Sequence, residues 1–442
     1  MSAVDITPVS LLETVTGDIR SVNFFNGRLL AGEDLSTEQR SQRAERLLFG
    51  RALGDGVAYG LEVYEDPARS GHAQPVVTVE PGLAISRDGA AIALGRRVDV
   101  ALATVDVAVV DAAPGAGVFS DCLTSTPGTY TTGAGVYVLT IAPASVSQGR
   151  APVSAQSEGG ADCAADASVE GVRFRLVGVP NMTAQELSDS FAPRLRNRVA
   201  HLMLGTDDPA RTRFRFDPLG PRLTSYGRLD EMLAAGLLTT GEVPLAALAW
   251  TESLGIGFVD LWSVRRRLTR HAETDVVPSG LESQAAVPRP PIAGDRARSE
   301  AEALRLQFER QLEDMRARIA LEPLAAATVF DHLPAAGLLP LASGGSRGID
   351  PDVFFGDQGS DDGSTIDAAL VPPLLHEALA HEPIRVGGGE RIQLYLLWES
   401  ELAVQNRLSS HAVLVFAKQT LPYRGTRRYG YARFGAGRVS RW

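Results

Sequence analysis

The sequence predicts an α+β fold, mainly β, in which β-sandwich or barrel-like domains carry an N-terminal helix and one long amphipathic helix. Three observations predict it. Turn formers are dense, with 44 glycines and 26 prolines in 442 residues, which favours many short strands over a helical bundle. Short apolar runs alternate with Gly-, Asp- and Asn-bearing turns along most of the chain, the pattern of antiparallel strands. Two longer stretches, 33–53 and 299–321, carry instead the end signals and spacing of helices.

In chain order, Asn23-Phe24-Phe25-Asn26-Gly27-Arg28-Leu29-Leu30 is an apolar entry segment that turns at Asn26-Gly27. The helix after it opens on Glu33 and Asp34, ends on arginine and stops at Gly54-Asp55-Gly56, a charge order that suits its dipole. Its apolar set is thin before Ala44, Leu47, Leu48 and Ala52, so its first half is expected in solvent. Strands are predicted at 57–63 and 76–79, then a hairpin of 81–85 and 91–94 about Arg87-Asp88-Gly89. Further strands fall at 98–110, 136–141 and 172–177, and the polar tract 145–168 reads as a long loop. A short helix is expected over 191–203, and a hairpin over 245–250 and 256–261.

Pro278, Pro288, Pro290 and Pro291 mark a linker without periodicity. Ser299 and Glu302 then form a capping box for the long helix. Its Leu304, Phe308, Leu312, Met315 and Ile319 recur at intervals of 4, 4, 3 and 4, a seam near the heptad period. Such a seam serves either a contact between copies or packing of one amphipathic helix on its own domain. A helix at 371–380 opens on Pro372-Pro373, strands follow at 392–398 and 412–417, and the tail 423–442 interleaves arginine with aromatic residues. The expected division is 1–120, 121–274 with the loop 145–168 inserted, the linker 275–298, the helix 299–325, and 326–442. Roughly 150 residues per domain would give two to four.

Charge and composition narrow the function. A formal charge of −10 disfavours bulk attraction to nucleic acid or anionic lipid. Lys418 is the sole lysine among 43 basic residues, a skew that coding composition explains more simply than anion binding throughout. No apolar run approaches the ~18 residues of a membrane helix, so no direct membrane insertion is expected. Cys122 and Cys163 are too few for a disulfide framework or a four-thiolate metal site; they either pair or remain free thiols. The first ten residues lack the basic and apolar regions of a secretory signal, which predicts folding in a cytosol.

No catalytic or metal constellation emerges. His376 and His381 lie five apart, about 140° around a helix at 100° per residue, so they cannot share a metal. Gly344-Gly345-Ser346-Arg347-Gly348 fits a nucleophile elbow by pattern, but Pro351 follows at once and opposes the long helix that motif needs. Gly54-Asp55-Gly56-Val57-Ala58-Tyr59-Gly60 leads into a strand, so its amides offer no helix N-terminus to a phosphate. The acidic stretch 357–367 lacks glycine at the sixth position of a calcium loop. The arginine-aromatic tail fits a protein contact better than stacked bases, given the net charge. No enzyme activity, cofactor or metal is expected.

Three stretches carry a resemblance: the entry segment with Glu33-Asp34-Leu35, Gly60-Leu61-Glu62-Val63 and Val79-Glu80-Pro81-Gly82-Leu83-Ala84-Ile85; Phe258-Val259-Asp260-Leu261-Trp262-Ser263-Val264-Arg265-Arg266-Arg267 with Glu242-Val243-Pro244-Leu245-Ala246; and Ile349-Asp350-Pro351-Asp352-Val353-Phe354-Phe355. The chain resembles an uncharacterised bacterial family encoded with phage-tail-like particles, extracellular contractile injection systems among them. Its start is similar to the shoulder domain of the type VI secretion baseplate adaptor.

The resemblance implies a structural subunit, baseplate-associated or tail-peripheral, with Phe24, Phe25, Arg28, Leu29 and Leu30 docking the shoulder-like domain 1–120 on baseplate or tail subunits. It implies a homo-oligomer, with a trimer as the candidate form and residues 304–319 as its seam. Assembly in the cytosol and release with the particle follow from the same reading. The chain departs from the pattern at Ala31, where a threonine cap is expected, and at Asp55-Gly56, where a tryptophan is expected. A missing cap costs about 1 kcal/mol, so the helix would lean on docking. The alternatives are a receptor-binding, fibre-like module that recognises a cell surface and, more remotely, an appended carbohydrate-active enzyme. The plain structural reading puts Phe24 and Phe25 in the chain's own core.

Overall fold

The computed structural model describes residues 19–29, 31–68, 70–71, 75–102, 135–148, 151–152, 163–164, 167–180, 182, 192–216, 225–251, 255–270, 295–318, 324–341, 349–360, 364–398, 413–422 and 425–427. Helix α1 (Gly32–Leu53) occupies the stretch predicted for it and leads to six short strands, β1 (Gly56–Gly60), β2 (Val63–Glu65), β3 (Val76–Val79), β4 (Gly82–Ile85), β5 (Ala91–Leu94) and β6 (Val98–Ala101). They form two antiparallel sheets, ordered β1-β4-β5 and β2-β3-β6. The β4–β5 hairpin turns at Arg87-Asp88-Gly89 as expected, with Gly89 at a φ of 91° that only glycine adopts readily.

Strand β7 (Gly135–Gln148) is followed by the short pair β8 (Ala151–Pro152) and β9 (Cys163–Ala164), then β10 (Ala167–Gly178). The ends of the tract expected as a loop, 145–168, pair instead as strands: β7 and β10 pair without a break from Tyr137↔Gly178 to Gln148↔Ala167, and residues 153–162 lie outside the described residues. An antiparallel ladder satisfies the backbone by itself, so the ribbon forms although most of β10 is exposed. Cys122 lies outside the described residues, as does the side chain of Cys163.

Strands β11 (Val243–Thr251) and β12 (Gly255–Asp260) complete a four-stranded sheet ordered β10-β7-β11-β12. Pro244 cannot donate to the ladder, and the β11–β7 register shifts between Pro244 and Ala246. That shift puts neighbours Leu245 and Ala246 into the same core, after which Leu248 and Trp250 face one side and Ala247 and Ala249 the other. The first side packs on the two small sheets through Val57, Leu61, Val79 and Ile92, and Leu139 and Ile141 of β7 join it. One apolar core thus runs across the division drawn at residue 120.

The other face is covered by α2 (Ala192–Leu204) and α4 (Arg228–Ala234), through Leu195, Val199, Met203 and Met232. Between them lies α3 (Pro209–Phe214), capped by Asp208, whose carboxylate accepts from the Ala210 N–H at 2.9 Å. Helices α3 and α4 have six and seven residues, too few for a helical period to register in sequence.

Helix α5 (Asp295–Arg318) starts four residues before the predicted box, so Ser299 lies inside the helix rather than at its cap. Asp295 supplies the acid of the first turn and is held by Arg298 at 2.5 Å and Arg270 at 3.0 Å; the Arg298 bond, ahead of the other contributions, keeps its carboxyl below the ordinary range.

The described residues after α5 form a second sheet with helices on both faces. In order come α6 (Ala326–Val329), β13 (His332–Leu333), β14 (Ala336–Pro340), α7 (Pro351–Phe355), β15 (Gly359–Ser360), β16 (Ser364–Ile366), α8 (Val371–Ala378), β17 (Ile384–Arg385), β18 (Ile392–Leu397), β19 (Val413–Lys418) and β20 (Thr426–Arg427). The sheet runs β14-β19-β18-β16-β20, with β15 pairing parallel to β18, while β13 and β17 pair separately. In β19 the period of two is plain: Leu414 and Phe416 face α5, and Val415 and Ala417 face α8. No sheet closes into a barrel among the described residues.

The expected oligomer seam is corrected here. Phe308, Leu312 and Met315 belong to the chain's own core with Phe330, Leu394 and Phe416, and Leu304 packs beside Leu204 and Leu379. Phe308 meets Phe330 and Phe416 at ring distances of 5.3 and 5.4 Å. A side chain 1% exposed has no surface left for a second copy, so these four residues serve the domain alternative. Ile319 lies outside the described residues.

Polar contacts lock α5 to the middle of the chain as well. Buried Arg196 of α2 donates to Asp260, at the end of β12, and to Asp314 of α5, both at 2.6 Å. Gln307 Nε2 adds a bond to Asp260 at 2.9 Å, and Gln311 Nε2 reaches the Pro193 carbonyl at 2.7 Å. One helix therefore supplies apolar groups to the second sheet and polar groups to the first.

Candidate docking site

The entry segment is built by local hydrogen bonds. Asn26 and Gly27 are the central pair of a turn closed by the Arg28 N–H on the Phe25 carbonyl at 3.1 Å, with Gly27 at a φ of 91°. Arg28 then staples the segment: Nη1 donates to the Asn23 carbonyl at 2.7 Å and Nη2 to Asp34 at 2.6 Å. The other Asp34 oxygen accepts from the Ala31 N–H at 3.0 Å. An acid at the third helical position thus makes one half of a capping box, while Ala31 has no side-chain oxygen to make the half the missing threonine would supply. The Ala31 amide, more than Arg28, holds the Asp34 carboxyl below its ordinary range. Further back, the Val22 N–H donates to Glu38 at 3.2 Å, which lays the segment along the first turns of α1.

This scaffold leaves the apolar side chains outside. Phe24 is 52% exposed, Phe25 63% and Leu29 93%, so the core reading of the two phenylalanines does not hold. Arg28 is engaged within the segment and also lies 6.0 Å from the Phe25 ring centre; it positions the turn. Leu30 lies outside the described residues.

Helix α1 continues the pattern. Of its 22 residues only Ser41 and Gly50 are buried. Its far end is pinned to the body by a close backbone approach: a Cβ on Gly50 would lie 2.0 Å from the Gly89 carbonyl oxygen. Arg51 Nε donates to the Asp88 carbonyl at 3.0 Å, and Asp55 exchanges backbone bonds with Thr269 at 3.1 and 2.9 Å. Leu35, Phe49 and Leu53 are exposed and fall within about 40° of one another around the axis, opposite the side of Ala44 and Leu47. The outward face thus has two apolar patches, one at each end of the helix, about 21 Å apart at 1.5 Å per residue.

A second concentration of charge lies between α4, α5 and residues 262–269, around a cavity of about 130 Å³. Arg296 pairs with Asp230 at 2.6 Å and with Glu300 at 3.0 Å, Arg215 pairs with Glu300, and Arg266 donates to the carbonyls of Trp262, Ser263 and Arg265. The guanidinium groups of Arg215 and Arg296 lie 5.4 and 4.6 Å from the Tyr226 ring centre. Burial, then neighbouring guanidinium groups, pushes Arg215 and Arg266 down to about 9. These charges answer one another, and the cluster reads as an internal lock rather than a site.

His376 stacks on Phe216 at 4.5 Å, and no group of three or more His, Cys, Asp or Glu able to hold a metal occurs among the described residues. Of the acidic stretch, the described parts are a short turn and two strands of the second sheet. Gly344-Gly345-Ser346-Arg347-Gly348 and residues 428–442 lie outside the described residues. No described helix is long and apolar enough to cross a membrane.

No family model matches the chain, and no curated protein is similar to it. Among solved structures, the crystal structure of TssK is similar over 74% of this chain and 73% of its own, at 10% sequence identity and a TM-score of 0.22. Likeness at that level does not establish a shared fold.

Proposed function

We propose that the chain is a structural subunit of a phage-tail-like contractile particle, baseplate-associated or tail-peripheral, which docks on neighbouring subunits through the entry segment and α1. The observation that carries this reading is an arm of exposed Phe24, Phe25, Leu29, Leu35, Phe49 and Leu53 on a body whose own cores are filled. Exposed apolar groups gathered on one element are the mark of an interaction surface. The motif resemblance of the same residues to particle-encoded proteins supplies the kind of partner. Such a subunit works by geometry and not by chemistry: rigid sheets hold a spacing, and several modest contacts hold a ring or fibre in register. It is assembled in the cytosol with the particle, as a homo-oligomer whose symmetry is set by the arm and its neighbours rather than by α5.

The test is mass spectrometry of sedimented, sheath-containing particles from wild type and from a Phe24→Asp/Phe25→Asp double variant. The wild-type subunit should sediment with the particle, and the variant should remain folded and soluble but be lost from it. Full incorporation of the variant would remove the arm from the contact. A wild-type chain that never sediments with particles would refute the assignment and favour a free receptor-binding protein.

A further inference from the structure

The outward face of α1 carries a regularity beyond its two apolar ends. Leu35, Gln39, Gln42, Arg46, Phe49 and Leu53 recur at intervals of 4, 3, 4, 3 and 4, the spacing of alternating a and d positions in a heptad. At 100° per residue they fall within about 40° of one line along the helix, and all six are exposed. The seam runs nearly the whole length of a 22-residue helix, about 33 Å at 1.5 Å per residue. The comparable spacing in α5 is spent on the chain's own core, whereas in α1 it faces water.

The order of residues along the seam selects the partner. Apolar groups stand at both ends, with Gln39, Gln42 and Arg46 between them. Two such helices paired parallel and in register would set Arg46 against Arg46, like charges in the middle of the contact. Antiparallel pairing about residue 44 sets Leu35 against Leu53, Gln39 against Phe49 and Gln42 against Arg46, each twice. Every d position then meets an a position, and the Gln42 side-chain carbonyl accepts from the guanidinium. Such a contact is self-complementary, as a two-fold interface requires.

Charge along the helix agrees. Asp34 is already held by Arg28. Of the rest, Glu33 and Glu38 stand with Arg40 in the first half, and Arg43, Arg46 and Arg51 stand with Glu45 in the second. Antiparallel pairing lays the negative half of each helix on the positive half of the other and opposes the two macrodipoles. At the centre like charges approach, Arg43 with Arg43 and Glu45 with Glu45, and there Arg46 of each copy comes within one turn of Glu45 of the other.

We propose that α1 is a self-association surface: two copies of the chain pair through antiparallel α1 helices centred near residue 44, with the entry segment of each laid beside Phe49 and Leu53 of the other. This rests on the reading of the arm as a docking surface and names a second copy as the neighbour it meets.

Light scattering of the full chain tests the mass, and disulfide trapping tests the register. Wild type should be a dimer. Phe49→Asp/Leu53→Asp should weaken dimerisation at least tenfold and keep the wild-type unfolding midpoint, because both side chains are already exposed. In a Cys122→Ser/Cys163→Ser background, Leu35→Cys/Leu53→Cys should oxidise to a covalent dimer. Leu35→Cys alone should not, since the two introduced thiols would stand about 27 Å apart. A wild-type monomer at millimolar concentration overturns the proposal and leaves the arm to a different subunit of the particle. A trimer overturns it as well, and so does trapping through Leu35→Cys alone, which would mean parallel helices. A wild-type dimer that never sediments with particles supports the pairing and refutes the particle assignment alone.

Discussion

Lowering the pH should unfold the middle of the chain through His201. This residue of α2 is 2% exposed, its Nδ1 lies 2.7 Å from Thr206 Oγ1, and its ring centre is 6.1 Å from that of His332. Burial, and secondarily the His332 charge, pushes it from 6.5 down to about 3. The sign follows directly. The unfolded chain takes up a proton below about 6.5, whereas the folded chain refuses it until about 3. The stability that His201 contributes is therefore fully present above about pH 6.5 and is lost as the pH falls toward 3. Between pH 7 and 5 one site with these limits gives a loss of about 2 kcal/mol, at 1.36 kcal/mol per unit once titration is under way. Urea unfolding followed by tryptophan fluorescence at both pH values measures it, since Trp250 is buried in the adjoining sheet. His201→Asn retains a partner for Thr206 but no longer titrates. Its absolute stability should fall, yet its loss between pH 7 and 5 should be about 2 kcal/mol smaller than that of wild type. An equal pH-dependent loss in the two proteins would refute the reasoning, because the other histidines are common to both.

Three further outcomes test the architecture. Arg196→Ala leaves Asp260, whose side chain is 1% exposed, without its guanidinium; thermal or chemical unfolding should register about 3–5 kcal/mol, and a change below 1 kcal/mol would deny that the network joins α5 to the first sheet. Gly50→Val places a Cβ 2.0 Å from the Gly89 carbonyl oxygen, which no backbone tolerates, so hydrogen exchange over residues 44–53 should quicken while β7 and β11 remain protected; unchanged exchange would mean that α1 is held elsewhere. Phe308→Ala should cost about 3–5 kcal/mol without changing the molar mass by light scattering, and a drop in mass would return α5 to the role of an oligomer seam.

Much of the fold was legible because it is local. Acids at 33–34 and glycine at 54 bound α1 within a residue, and Arg87-Asp88-Gly89 marks a true hairpin. What failed was partner choice. The period of Leu304, Phe308, Leu312 and Met315 correctly reports an apolar face, but a period cannot say whether the surface it meets is a second copy or residues 330–416 of the same chain. The Ser299-Glu302 pair looks like a cap although the helix begins earlier, since Asp295 has its own arginines and Ser299 is buried beside Glu300. The pairing of 145–148 with β10 was missed because its stability comes from backbone bonds that leave no apolar alternation. The entry segment was visible as a motif, but only burial could show that Phe24 and Phe25 lie outside the core.

The sparse burial of α1 suits the docking role proposed for it. Most helical stability in proteins comes from tertiary packing, and of α1 only Ser41 and Gly50 are buried. It keeps its direction through the glycine contact at its C-terminal end and keeps its first turn through Arg28 and Asp34. On the docking reading, these two local devices preorganise the arm, so a partner need not order it from a coil, and that saving appears directly as affinity. It also separates two classes of variant. Changes at Phe24, Phe25 or Leu29 should alter incorporation with little effect on unfolding of the body, because those side chains are already in water. Changes at Arg28 or Asp34 should weaken docking without removing any apolar contact. A pair such as Arg28→Gln and Phe25→Ala, compared singly and together for incorporation, would therefore show less than additive losses if Arg28 acts by placing Phe25. Strict additivity would make Arg28 a contact in its own right.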